Sequence, residues 1–169
     1  MSGPGSGKCC RPAGLSSGQT VAIALGSNLG DRHAHLDYAV SRLSRILSAL
    51  RVSSRHETAP VDVVGEQPAF LNAALVGTTA LGPHALLREL QAIEAERGRE
   101  RPYRHAPRTL DLDMVLYGSL MVSDDELDVP HPRFRERAFV LAPLAEIAPD
   151  LVDPVSGLTA ARLLRKLNS

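Results

Sequence analysis

Three observations predict an α+β fold, a single antiparallel sheet with helices packed on it. Periodic segments follow one another in the order β, α, β, β, α, β. Two of them carry apolar residues at helical spacing, whereas the strand segments are short apolar or alternating runs bounded by glycine, proline or asparagine. The 169 residues, 44% hydrophobic and 22% charged, have the size and make-up of one compact domain. A chain of that length buries roughly 70% of the surface its unfolded form exposes, so neither disulfides nor a structural metal is needed.

Residues 1–18, MSGPGSGKCCRPAGLSSG, are rich in Gly, Ser and Pro without an apolar stretch, and they are predicted as a disordered extension preceding a single domain over 19–169. Cys9 and Cys10 are adjacent and cannot staple a fold, which suits a reducing, cytoplasmic setting. Gly5-Ser6-Gly7-Lys8 does not complete a phosphate-binding loop, because its first glycine would fall at Ser2 and the lysine is followed by Cys9. Val21 to Leu25, closed by Gly26-Ser27-Asn28, reads as a buried strand running into a turn. Asp31 can cap a helix over about 32–50, with Leu36, Val40, Leu43 and Leu47 as its stripe. Val52 to Thr58 reads as a strand and Ala59 to Pro68 as a long loop.

Phe70 to Thr78 is the next strand, and the period of two places Phe70 and Asn72 on one face. Gly82-Pro83 opens a second helix with Leu86, Leu90 and Ile93 toward the core and Leu87, Gln91 and Glu94 on an adjacent stripe; Gly98 stops it. Leu110 to Tyr117 alternates, with Leu110, Leu112, Met114 and Leu116 on one side and Asp111, Asp113, Val115 and Tyr117 on the other. Gly118 to Val129 reads as a turn and acidic connection, Pro130 to Glu136 as a basic loop. Short helices are expected near Pro143 to Ala148 and after Thr159. The order matches the ferredoxin-like arrangement with extra helices at the C-terminus.

The 19 basic and 19 acidic residues cancel, so no overall field draws the chain to nucleic acid or an anionic membrane, and no apolar run is long enough to span a bilayer. Charge is instead local. All basic residues except Lys8 and Lys166 are arginine, grouped at Arg97, Arg99, Arg101, Arg104 and Arg108 and again at Arg133, Arg135 and Arg137. Asp111 and Asp113 project from one strand face about 6.6 Å apart along the chain. Such a pair can hold divalent ions, and magnesium takes one or two carboxylates together with phosphate oxygens. The arginines beside it would neutralise phosphate charge, which is most of what phosphoryl transfer asks of a protein. A solvated strand face beside a surface charge run gives the same residues. Phe70 and Phe139 can stack on a planar heterocycle or fill the core, Asn72 offers the donor and acceptor a heterocycle edge needs, and His131 can donate to a phosphate or stand as an ordinary loop residue.

At Arg104-His105-Ala106-Pro107-Arg108-Thr109-Leu110-Asp111-Leu112-Asp113 the sequence closely resembles the signature of the 6-hydroxymethyl-7,8-dihydropterin pyrophosphokinases of folate biosynthesis. The resemblance extends through Leu25-Gly26-Ser27-Asn28-Leu29-Gly30-Asp31, Phe70-Leu71-Asn72-Ala73, Val129-Pro130-His131-Pro132 and Arg137-Ala138-Phe139-Val140-Leu141-Ala142-Pro143-Leu144, covering about residues 20–168. It implies transfer of pyrophosphate from ATP to the pterin hydroxymethyl group, with AMP released. By that likeness Asp111 and Asp113 bind two magnesium ions, and Arg99 and Arg108 are catalytic. Gln91, Glu94, Arg101, Met114, His131 and Arg137 fall at ATP-binding positions; Thr58, Val61, Phe70, Asn72 and Phe139 fall at pterin-binding ones. The loops at Ala59 to Pro68 and Gly98 to Pro107 would close over the substrates. His105-Ala106 departs from the aromatic and glycine of many relatives.

The partners expected are therefore ATP and the pterin, with no nucleic acid, no membrane and a monomeric chain. An RNA-binding ferredoxin-like module is disfavoured by 4% aromatics and zero net charge. Another nucleotide transferase using the same Asp pair is separated by its products: ADP from a kinase, pyrophosphate from a nucleotidyltransferase.

Overall fold

The computed structural model describes residues 18–59, 69–98 and 109–169. The expected N-terminal extension lies, apart from Gly18, outside them. Strand β1 (Gln19–Ser27) runs up the middle of the sheet and turns through Gly30, whose φ of 71° favours glycine, into helix α1 (Arg32–Leu43). The expected cap is present: the Asp31 carboxylate accepts from the Ala34 N–H at 3.1 Å. Then come β2 (Ser48–Val52), β3 (His56–Thr58), β4 (Phe70–Thr79), α2 (Pro83–Glu96) and β5 (Asp111–Tyr117). A hairpin of β6 (Val122–Ser123) and β7 (Asp128–Val129), a 3-10 turn at Phe134–Glu136, α3 (Ala138–Ile147) and α4 (Ala160–Asn168) complete the chain.

The sheet is antiparallel throughout, in the order β2-β4-β1-β5, and β3 also pairs with β4. One face packs on α1 and α2 through Val21, Ile23, Leu25, Leu71, Leu75, Leu36, Leu43, Leu86, Leu90 and Ile93. The other packs on α3 and α4 through Ala22, Ala74, Val76, Val115, Leu116, Phe134, Leu141, Leu144 and Leu163. The end of that face bearing Gly26 and Asp111 lies outside both apolar clusters of the described residues.

Several boundaries differ from expectation for identifiable reasons. The first helix ends at Leu43 rather than near 50. Leu47 and Leu50 still meet the core, but from a turn and an edge strand, where pairing to β4 wins over helical periodicity. Ala49 takes a φ of 53° at the irregularity between Ser48 and Arg51. The single strand expected over 52–58 is two, interrupted where the Ser53 N–H donates to the Ala74 carbonyl and the Ser53 hydroxyl accepts from the Ala74 N–H, both at 2.9 Å. Helix α3 starts five residues before Pro143, which lies buried inside it; burying the apolar run around it outweighs the missing N–H.

Strand β5 corrects the strict alternation. Met114 pairs with Ile23 and Leu116 with Ala22, so Val115 is an extra residue, a β-bulge. Leu116 consequently joins the second apolar cluster and Tyr117 the first, exchanging the faces that alternation assigns them.

The C-terminal segment is tied down by a buried carboxylate. Asp153, 1% exposed, accepts from Arg135 Nε at 2.6 Å and Nη2 at 2.9 Å and from the Ser156 hydroxyl at 2.7 Å. Burial alone would raise its carboxyl, but these bonds, the Val155 N–H and the Arg135 charge outweigh it and hold the pKa down to about 2. A folded-state pKa below the ordinary 3.8 stabilises the protein above that value, and the contribution is lost as pH falls toward 2. Acid titration of unfolding free energy should show Asp153→Asn costing about 2 kcal/mol at pH 7, with the difference from wild type shrinking below pH 3.8 and closing as pH falls through about 2.

Candidate active site

The polar end of this sheet face is assembled by register. Gly26 on β1 pairs with Asn72 on β4 and, across its other edge, with Asp111 on β5. Ala24, two residues earlier, pairs with Ala74 and with Asp113. Directly opposed residues of an antiparallel pair project to the same side, so Asn72, Gly26 and Asp111 form one row and Ala74, Ala24 and Asp113 the next. Strands lie about 4.8 Å apart, which sets Asn72 and Asp111 about 10 Å from each other with only a glycine between. A side-chain carbon at Gly26 would come within 3.2 Å of Asn72 Oδ1 and 3.8 Å of Phe70 Cδ1. The row is a shallow slot walled by an amide and a phenyl ring at one end and a carboxylate at the other.

At the amide end, Asn72 is 6% exposed and its Nδ2 donates to the Thr58 hydroxyl at 2.6 Å. Thr58 pairs with Phe70, so β3 and β4 present Thr58, Phe70 and Asn72 on this face together. Glu146 of α3 fastens that corner by accepting from the Ser54 N–H and hydroxyl, both at 2.8 Å, and by bonding His56 Nε2 at 3.1 Å. Phe139, the second residue of α3, is partly buried against the second cluster. Arg137 holds its guanidinium 5.5 Å from the Phe139 ring centroid.

At the carboxylate end, the bulge does a second job. The Val115 carbonyl accepts the His131 N–H at 2.9 Å, docking the Val129-Pro130-His131 segment against the strand that bears both aspartates. His131 Nδ1 accepts from the Arg133 N–H at 3.1 Å. Burial, then the nearby Arg137 guanidinium, push the imidazole below its ordinary pKa, against the opposing pull of Asp111. His131 is therefore neutral at pH 7, with its proton on Nε2 and available to an acceptor oxygen. Arg137 immediately precedes α3, whose first turn has no acidic residue and no side-chain cap, so that helix end also favours an anion.

Asp111 and Asp113 are partly exposed on this face. Among the described residues no group of three or more His, Cys, Asp or Glu forms a metal cage. A pair of hard carboxylates fits magnesium, which completes its shell from water and phosphate oxygens.

Two residues expected near the nucleotide have other surroundings. The Met114 side chain is 4% exposed inside the first cluster, so what that position offers this face is main chain. Glu94 is also 4% exposed, and its carboxylate accepts the Leu112 N–H at 2.7 Å on the edge of β5, between the two aspartates. Gln91 is exposed on the same helix. Glu94→Ala should remove the acceptor of a buried N–H and cost about 1–3 kcal/mol, read by thermal denaturation, whereas Glu94→Gln keeps an acceptor and should cost less. Val61, Arg99, Arg101 and Arg108, with the His105-Ala106 departure, lie outside the described residues. Sequence reasoning did not single out Gly26 for the site; its signal was a residue without a side chain on the face shared by Asn72 and Asp111.

A family model described as 7,8-dihydro-6-hydroxymethylpterin-pyrophosphokinase matches residues 22–149. The chain is 45% identical over 148 residues to the 2-amino-4-hydroxy-6-hydroxymethyldihydropteridine pyrophosphokinase of Methylorubrum extorquens, covering 86% of this chain and 92% of that protein. It is 49% identical over 127 residues to the Bacillus subtilis protein of the same name, 74% of this chain and 75% of that one. It is 47% identical over 139 residues to the mitochondrial folate synthesis bifunctional protein of Arabidopsis thaliana, covering 82% of this chain but only 25% of that longer protein. Among solved structures, wild-type Plasmodium falciparum HPPK-DHPS superposes with a TM-score of 0.69 at 14% identity, covering 92% of this chain and 46% of that one, a likeness of fold.

Proposed function

The chain belongs to the 7,8-dihydro-6-hydroxymethylpterin-pyrophosphokinase family, and on that premise we propose that it transfers pyrophosphate from ATP to 6-hydroxymethyl-7,8-dihydropterin in folate biosynthesis. The observation that carries the reading is the row Asn72, Gly26, Asp111 across three strands. It supports a flat heterocycle lying over the glycine, its polar edge read by Asn72 and Thr58 and its faces covered by Phe70 and Phe139. Its hydroxymethyl group then points toward the aspartates. The hydroxyl oxygen forms a bond to the β-phosphorus of ATP, the bond from that phosphorus to the oxygen bridging the α-phosphate breaks, AMP leaves with the electron pair, and the hydroxyl proton passes to solvent water.

Asp111 and Asp113 would hold two magnesium ions, which supply charge neutralisation and alignment of the phosphates when bound. His131 would donate from Nε2 to a phosphate oxygen, and Arg137 would add a fixed cation beside it. Arg99, Arg101 and Arg108 are proposed to clamp the phosphates, Gln91 and Glu94 to border the nucleotide, the Met114 main chain to meet adenine, and Val61 to finish the pterin pocket. We read the sheet as ferredoxin-like, counting β2 and β3 as one interrupted strand, which the strand order supports. Packing of the chain's own helices on each sheet face supports a single-domain monomer, and a cytoplasmic setting suits its adjacent thiols.

A mass-resolved assay with ATP, magnesium and the pterin tests the reaction. Equal amounts of AMP and pterin pyrophosphate are expected. ADP or inorganic pyrophosphate as the matched product, or no product from folded protein, would overturn it.

A further inference from the structure

A cation at the start of a helix stands against the helix field, which favours negative charge there. Arg32 is the first residue of α1, and no acidic residue accompanies it in the first turn. Two long-range bonds account for its place. Its Nη1 donates to the Ala69 carbonyl at 2.8 Å and its Nη2 to the Glu57 carboxylate at 2.6 Å. Glu57 and Ala69 are the immediate neighbours of Thr58 and Phe70, which pair with each other across β3 and β4. Alternation puts Glu57 on the opposite side of the sheet from Thr58, so the guanidinium grips both strands from behind the slot. Strand β3 has only three residues, and so few ladder bonds of its own to hold its spacing from β4. The bond to the Ala69 carbonyl is partly buried, whereas Glu57 is 58% exposed, so the carbonyl is the firmer of the two anchors.

We propose that Arg32 is a positioning residue of the pterin subsite. Acting through Glu57 and the Ala69 carbonyl, it fixes the separation of Thr58 and Phe70 and with it the width of the slot; this rests on the pterin reading above. Arginine suits the task because one planar fork reaches two acceptors at once, which an ammonium group at the same position does not.

Steady-state kinetics on the full chain test this, varying the pterin at saturating magnesium-ATP and then the reverse. Arg32→Ala should raise KM for the pterin about tenfold while KM for ATP and kcat stay within about twofold. Arg32→Lys should recover only part of the loss, and Glu57→Gln, which leaves the Ala69 bond, should fall between wild type and Arg32→Ala. Thermal melts report folding, and if Arg32→Ala does not fold, the Lys and Gln variants decide. Asn72→Ala serves as the reference for the subsite. A raised pterin KM in Asn72→Ala with none in the Arg32 and Glu57 variants overturns the role of Arg32 alone, as does an equal rise in both KM values. If Asn72→Ala also leaves the pterin KM unchanged, or wild type does not use the pterin, the pterin reading fails and this proposal with it.

Discussion

Asp113→Ala is expected to fold and to form no measurable product, with turnover down by at least about a thousandfold. Asp111→Ala should do the same. Both side chains are partly exposed and lie outside the two apolar clusters, so neither supplies core packing. Their backbone partners in β1 are Gly26 and Ala24, which leave the ladder intact whatever the side chain. On the proposed reading, catalysis requires negative charge at that edge to gather metal around a polyphosphate. Asp113→Asn sharpens the test, because it keeps shape and removes charge: its turnover should fall nearly as far. AMP formation at saturating ATP, beside a thermal melt of each variant, gives the answer. Near-normal turnover in a well-folded variant would dismiss the metal assignment.

Gly26→Val should leave ATP binding intact and weaken the pterin by about a hundredfold or more. The first added carbon meets Asn72 Oδ1 at 3.2 Å, tighter than ordinary contact, and the valine methyl groups would then occupy the slot itself. The glycine is not held by an unusual backbone angle, since its φ is not among the positive ones. The backbone can therefore accept a β-branched residue, and the strain falls on the buried Asn72 amide, which a thermal melt of the variant reads. Gly26→Ala, adding only the first carbon, should lose about tenfold. Calorimetric titration of the pterin, with magnesium and an ATP analogue bridged by methylene between its α- and β-phosphates, separates the two ligands. Unchanged pterin affinity in the valine variant would mean that the ring lies elsewhere.

Much of this site was legible because it is written at short range. Asp111 and Asp113 share a face through the period of two, as do Phe70 and Asn72, and the structure keeps both pairs as read. Asp31, Gly82 with Pro83, Gly98 and Thr159 mark helix ends through local chemistry, and each does so here. What escaped depends on partners far along the chain. Leu47 and Leu50 continue a helical stripe, yet pairing with β4 draws their segment into the sheet. The bulge at Val115 is invisible to periodicity, since only its pairing with β1 reveals an extra residue. Glu94 falls on the stripe beside the core and, by likeness, at an ATP-binding position; its acceptor role follows from an edge N–H eighteen positions away. Arg32 likewise answers to Glu57 and Ala69, distances in sequence that no local pattern reports.

The bulge also bears on how this strand tolerates change over evolutionary time. On its N-terminal side β5 is in register for chemistry, and on its C-terminal side for stability, with the carbonyl of the joining residue spoken for by His131. The two halves are thereby uncoupled. Substitutions at Leu116 or Tyr117 can drift with the interior without rotating Asp113 off its face, and the carboxylate pair can be retuned without repacking α3. Removing Val115 would abolish that independence: one alternation would have to serve both halves, and a lineage could keep its acidic pair or its interior packing on the present faces, but not both.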